Sequence, residues 1–159
     1  MTGFPNAVRL GKSLGYGAAL MFSLSLACVS APAADYRAGD LVVSDVRSSP
    51  TPPVASVGAV YFSITNAGRK ADRLMAVSSP IAGKTEIHES RLVQGNVEMR
   101  PVAWVDCPPG ATVKIEPGGL HVMLLGLTHP LAAGMHFPLL LQFRDAGSLT
   151  VQAVVDARQ

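Results

Sequence analysis

The sequence predicts an all-β domain, a β-sandwich or Greek-key barrel of eight or nine short strands. Three observations predict it. Val60, Phe62 and Ile64 alternate with Tyr61, Ser63 and Thr65, the two-residue period of a half-buried strand. Fifteen glycines and 12 prolines among 159 residues punctuate the chain at short intervals, which suits short strands and turns. No stretch carries a persuasive 3.6-residue apolar period, so long amphipathic helices are not expected. A chain of this length can enclose one hydrophobic core.

The elements follow in order. Residues 34–40 read as a flexible leader and 41–46 as the first strand. Residues 48–53 (SSPTPP) are a loop, because serine and proline dominate them. Residues 57–66 are the strongest strand, closed by Asn66-Ala67-Gly68. Residues 72–79 form the next strand, ended by Pro80. Residues 84–93 and 97–102 flank Gln94-Gly95-Asn96 and read as a hairpin. Pro108-Pro109-Gly110 is a hard break before the alternating strand 112–116. Pro117-Gly118-Gly119 then turns the chain into 120–127, a nearly continuous apolar strand. Residues 128–137 are loop-like. Residues 138–144 and 148–155 make a last hairpin across Asp145-Ala146-Gly147.

The N-terminal segment follows another logic. Arg9 and Lys12 precede an uncharged, mostly apolar run, residues 14–30, and then Ala31-Pro32-Ala33. This order predicts a signal peptide over residues 1–33, cut near Ala33, and hence a periplasmic protein. An uncleaved segment would be its sole contact with a membrane. A lipid-modified Cys28 is the alternative, disfavoured because Ser25 stands where a lipobox usually has Leu. Without Arg9 and Lys12, 11 basic residues face 11 acidic ones. A neutral domain has no electrostatic footprint for nucleic acid or an anionic membrane. Cys107 is then the lone cysteine of residues 41–159, with no intramolecular disulfide available, and is expected to be buried.

The candidate chemistry lies in His and Met. All four histidines follow residue 87, and beyond residue 33 the methionines are Met75, Met99, Met123 and Met135. Imidazole with thioether suggests copper, with Cu(I) favoured by the soft sulfur. His121 and Met123 share a strand face, about 6.8 Å apart, and can converge on one ion, while Val122 points to the core. His88 and Met99 occupy the two arms of the 84–102 hairpin. With Gly95-Asn96 as a two-residue turn, Met99 faces Leu92, on the face of His88 but about 13 Å along the strand. Glu86 and Glu89 flank His88 and are expected to be solvated or, at most, hydrogen-bonding supports. Met75 is expected in the core, and His129, Met135 and His136 in an exposed loop.

Enzymatic readings are weak. A blue-copper site wants a thiolate close in sequence to His and Met, which Cys107 is not. Catalytic zinc rarely uses Met, and no nucleophile-elbow sequence accompanies the serines. The protein is therefore not expected to be an enzyme. An exported β-sandwich binding module and a copper scavenger without a specific acceptor remain as alternatives.

His88, Met99, His121 and Met123 stand at intervals of ten, twenty-one and one intervening residues. This H-x10-M-x21-H-x-M pattern resembles that of the PCu(A)C-type periplasmic copper chaperones. Ile87-His88-Glu89, Met99-Arg100-Pro101-Val102 and the run from Pro117 to Leu127 fit as well, and the similarity extends from about Val42 to Val155. The resemblance implies a cupredoxin-like β-barrel that binds one Cu(I) through these four residues. It also implies delivery of copper toward cytochrome c oxidase, typically its CuA domain. The chain ends Val154-Val155-Asp156-Ala157-Arg158-Gln159, without the His- and Met-rich tail that some members carry.

Overall fold

Leu41 and Val43, then Val60, Phe62 and Ile64, then Leu139 and Leu141, alternate along their strands and turn one apolar row inward. Burying such rows is what drives the chain into stacked strands. The structure is a computed structural model, and it describes residues 35–157. The expected signal peptide, its cleavage near Ala33 and Cys28 lie outside the described residues.

Eleven strands follow in sequence: β1 (Tyr36–Ala38), β2 (Leu41–Ser48), β3 (Val57–Asn66), β4 (Asp72–Ser78), β5 (Ala82–Val93), β6 (Asn96–Pro101), β7 (Val105–Cys107), β8 (Thr112–Ile115), β9 (Leu120–Leu127), β10 (His136–Phe143) and β11 (Ser148–Val155). The all-β expectation holds. Two short strands were not foreseen. β1 falls inside the expected flexible leader but pairs antiparallel with β2, and Ala38 reaches the core. β7 is three residues long and pairs with β4.

The strand order is β6-β5-β9-β8-β3-β2-β11-β10-β4-β7. Most pairs are antiparallel, and β2 with β11 and β8 with β9 are parallel. β3 carries two neighbours on one edge: residues 57–60 pair with β9 and residues 62–65 with β8. The Thr85 hydroxyl donates to the Val77 carbonyl, linking β5 to β4 across the curled sheet. Phe62, Phe137, Leu74, Leu124 and Leu131 fill the interior.

Two buried polar groups tie together the loops around the start of β4. Asn66 donates from Nδ2 to the carbonyls of Lys70 (2.8 Å) and Cys107 (2.9 Å), and its Oδ1 accepts from the Gly68 N–H. The Asp72 carboxylate accepts from the backbone N–H groups of Arg73, Asp145 and Ala146, at 2.6, 2.9 and 2.8 Å. It thereby joins the start of β4 to the β10–β11 turn.

Cys107 is fully buried on β7, as expected, and burial pushes its thiol up to about 11. Met75 departs from its expected core position. It is 42% exposed on β4, because inward positions there fall to Asp72, Leu74 and Val77, the last after an irregular register against β10. Two outcomes follow. Asp72→Ala leaves three N–H donors without their carboxylate and should cost about 2–4 kcal/mol, read as a lower urea midpoint. In a Cys28→Ser background, native Cys107 should react with iodoacetamide at pH 8 at least ~100-fold more slowly than in the unfolded chain.

Candidate metal centre

The strand that bears His121 begins at a defined turn. The Gly119 N–H donates to the Glu116 carbonyl at 3.1 Å, with Pro117 and Gly118 between them. Gly118 has φ +81°, so the pair forms a type II turn with proline first and glycine second. β9 then alternates. Val122 and Leu124 are fully buried in the core, and His121 and Met123 occupy the opposite face.

β5 is organised in the same way. Ile87 packs inward, and Lys84, Glu86 and His88 share the outer face. Pairing of β5 with β9 places His88 opposite His121 and Glu86 opposite Met123. The two imidazole rings meet edge-on, with centroids 5.9 Å apart and planes at 62°. A nitrogen about 2 Å from a metal puts its ring centre roughly 3.2 Å away, so two rings can span one ion at up to roughly 6.4 Å. The observed separation falls within that reach.

Met99 sits elsewhere in register than expected. The hairpin turn is Gln94-Gly95, not Gly95-Asn96, with Val93 opposite Asn96 and Ser90 opposite Met99. Gln94 (φ +50°) and Gly95 (φ +82°) both adopt positive φ, the signature of a type I′ turn, which favours glycine at its second position. Met99 therefore faces Ser90 instead of Leu92, two residues nearer His88. It remains on the face of His88, because the register moved by an even number of residues. Met99 and Met123 are both diagonal neighbours of His88, one on each flanking strand, at the 7–8 Å typical of such positions. The diagonals run in opposite directions, and Met99 is 59% exposed. The structure thus brings His88, His121 and Met123 together and leaves Met99 on the open side.

Hydrogen bonds distinguish the histidines. His121 Nδ1 lies 3.0 Å from the Gly119 carbonyl, which also accepts from the Ser90 N–H. A carbonyl only accepts, so Nδ1 carries the proton and Nε2 keeps its lone pair. His121 is 5% exposed, and its Nε2 is buried without a hydrogen-bond partner among the described residues. Buried polar atoms are rarely left unpaired. His88 Nε2 lies 2.8 Å from Glu86 Oε2, and Lys84 lies 2.5 Å from Glu86 Oε1. Lys84 first, then His88, hold the Glu86 carboxyl below its ordinary value.

The other candidates lie apart. His129 is exposed, Met135 is half-buried and His136 opens β10, all beyond the far end of β9. That end is roughly 20 Å along the strand from His121. Cys107 faces the core from the opposite edge of the sheet. Glu89 pairs with Arg91, whereas Glu86 contacts His88 directly. Among the described residues no three His, Cys, Asp or Glu side chains gather as a metal cluster. The gathering at this site is of two imidazoles with thioethers beside them. Sequence reasoning undervalued Glu86, whose even spacing from His88 was the available signal. It missed the Gly119 carbonyl, a backbone atom that no residue identity announces.

Comparison with known proteins places the chain. The family model described as "Putative lipoprotein LpqE-like" matches residues 41–155. A curated relative, "Putative lipoprotein Lxx21020" of Leifsonia xyli subsp. xyli, is 30% identical over 98 residues. That match covers 61% of this chain and 59% of the relative, so less than two thirds of the relative's length is represented. Among solved structures, the apo PCuAC domain from PmoF1 superposes with a TM-score of 0.67 at 27% identity, covering 78% of this chain and 99% of that domain. Cu(I)-bound DR1885 from Deinococcus radiodurans gives 0.57 at 27% identity, covering 71% and 76% respectively. The copper-bound PCuAC domain from PmoF2 shares the fold at 22% identity, with a TM-score of 0.67 over 78% of this chain and 98% of that one. The fold is the cupredoxin-like β-barrel that the resemblance implied, and the chain belongs to the LpqE-like family.

Proposed function

We propose that the protein is an exported copper carrier, which holds one Cu(I) through His88, His121, Met123 and Met99 and passes it to an acceptor. The observation that carries this reading is His121 Nε2, a buried lone pair with no partner among the described residues, on a ring 5.9 Å from that of His88. An atom in that state costs the fold free energy unless something binds it. Imidazole with thioether donors suits Cu(I) better than zinc or calcium. Two neutral imidazoles and two thioethers add no charge, which matches a monovalent ion. The likeness to the PCuAC domain from PmoF1 and to Cu(I)-bound DR1885, each 27% identical, supports the same cargo here.

Accessibility supports carriage over storage. His121 is buried and Met99 is exposed on the hairpin, so one side of the site is open to an incoming ligand. Release by ligand exchange begins most readily at the exposed thioether. The destination we infer, from the resemblance to the PCu(A)C-type chaperones that these four residues carry, is the CuA domain of cytochrome c oxidase. The signal-like N-terminus and the family's description as a putative lipoprotein support export. That description also keeps a lipid-modified Cys28 in view as the means of retention.

Competition of the reduced protein with a chromogenic Cu(I) chelator tests the site. Wild type should bind one equivalent. His121→Ala should weaken binding by about 100-fold or more, and Met99→Ala by about tenfold, or about 1.4 kcal/mol. Met99 is exposed, so its loss does not threaten the fold. Equal, weak binding by all three proteins would overturn the copper reading. Mixing the Cu(I)-loaded protein with an apo-CuA domain then separates carrier from scavenger. Transfer should appear as the purple CuA spectrum after oxidation, and retention of all copper would favour the scavenger.

A further inference from the structure

The two histidines are held by acceptors on different nitrogens. His121 presents Nδ1 to the Gly119 carbonyl, and His88 presents Nε2 to the Glu86 carboxylate. An ionised carboxylate accepts and cannot donate, so Nε2 of His88 carries a proton, and in the neutral imidazole that a metal binds, Nδ1 keeps the lone pair. The rings are therefore opposite tautomers, set by neighbours on their own strands. Glu86 is itself fixed from both sides. Its Oε1 receives the Lys84 ammonium and its Oε2 the His88 ring. Lys84, Glu86 and His88 are alternate residues of β5, so the relay lies along one face of one strand.

Resting on the copper reading above, we propose that Glu86 is a positioning residue that makes His88 offer Nδ1 to the metal, while His121 offers Nε2. A metal-bound histidine is commonly oriented by an acceptor on its other ring nitrogen. Here one acceptor is a backbone carbonyl and the other a charged side chain. Glu86 also lies opposite Met123, so the carboxylate borders two of the proposed ligands without being one. Lys84 occupies the second oxygen and keeps the carboxylate turned along the strand.

The amide variant separates this role from simple packing. In Glu86→Gln the side chain keeps its shape, but Lys84 is a pure donor and claims the amide oxygen. The amide NH2 then faces His88 and favours a lone pair on Nε2, the wrong tautomer. A packing role predicts that Gln behaves as wild type, whereas a positioning role predicts that it does not. Adding Lys84→Met frees the amide oxygen to accept from Nε2–H and should restore part of the loss.

The experiment is imidazole 15N NMR of the labelled protein, before and after one equivalent of Cu(I), with chelator competition alongside. Before copper, His88 should be the Nε2–H form and His121 the Nδ1–H form. With Cu(I), the Nδ1 signal of His88 and the Nε2 signal of His121 should move. Glu86→Gln should shift His88 toward the other tautomer and weaken Cu(I) binding by about tenfold, with partial recovery in the Lys84→Met/Glu86→Gln protein. Movement of His88 Nε2 on copper addition, or wild-type affinity in Glu86→Gln, would overturn the positioning role and leave the copper site standing. If neither histidine responds to Cu(I), the copper reading itself fails, and this inference with it.

Discussion

Antiparallel pairing of β5 with β9 sets His88 directly opposite His121, and the rest of the site is arranged around that register. Both strands bury one row of side chains, Ile87 on β5 and Val122 and Leu124 on β9. A slip of either strand by one residue would expose that strand's row and turn its histidine into the core. The register is thus enforced by hydrophobic burial on the inner face, not by the polar residues it serves. Several kilocalories of apolar burial hold together two imidazoles that have little affinity for one another. Because Glu86 and Met123 are the next outward pair in the same ladder, they are positioned by the same constraint.

Burial across the site is graded. His121 lies at the strand root, where the Gly119 carbonyl fixes its ring and also receives the Ser90 N–H. His88 is partly covered, and Met99 stands out on the hairpin. Past Glu89 and Leu120 the hairpin has left β9, and its two strands pair only with each other. One of the proposed donors is therefore dry and held by a hydrogen bond, and another is exposed to solvent. A site that must grip an ion and later surrender it benefits from such a gradient, since exchange can start at the outer donor without disturbing the inner one. An electron-transfer site would want the opposite, a closed cage with little change between oxidation states.

Much of this was legible in the sequence because alternation reports faces. The rows of 57–66 and 120–127 gave their strands with the observed ends, and the parity of His88 with Met99 survived although the turn was misplaced. Parity is unchanged when a hairpin register moves by two, but distance is not, so the face could be read and the separation could not. The turn was misread because Gly95-Asn96 and Gln94-Gly95 are both acceptable two-residue loops, and local residue identity does not choose between them. β1 and β7 were missed for a different reason. Each has three residues, too few to show a period, and each forms only because a longer strand offers it an edge. Met75 went wrong through the irregular β4–β10 register, which no single-strand pattern contains.

β6 is an edge strand, and edges that carry exposed apolar residues invite pairing with other chains. Leu92, Val97 and Met99 are all exposed on one face of this hairpin. Its other face carries Glu89 opposite Arg100 and Arg91 opposite Glu98, and these four charges also pair along their own strands. Charge on an edge of this kind discourages another strand from adding to it. Replacing Leu92 or Val97 by charge would blunt the edge further, but it would also surround Met99 with groups that disfavour a dry approach by another protein. The hairpin keeps its protection on the face that does not carry the thioether. That division lets an aggregation-prone edge coexist with an accessible sulfur, and it accounts for the contrast between the two faces of the arm.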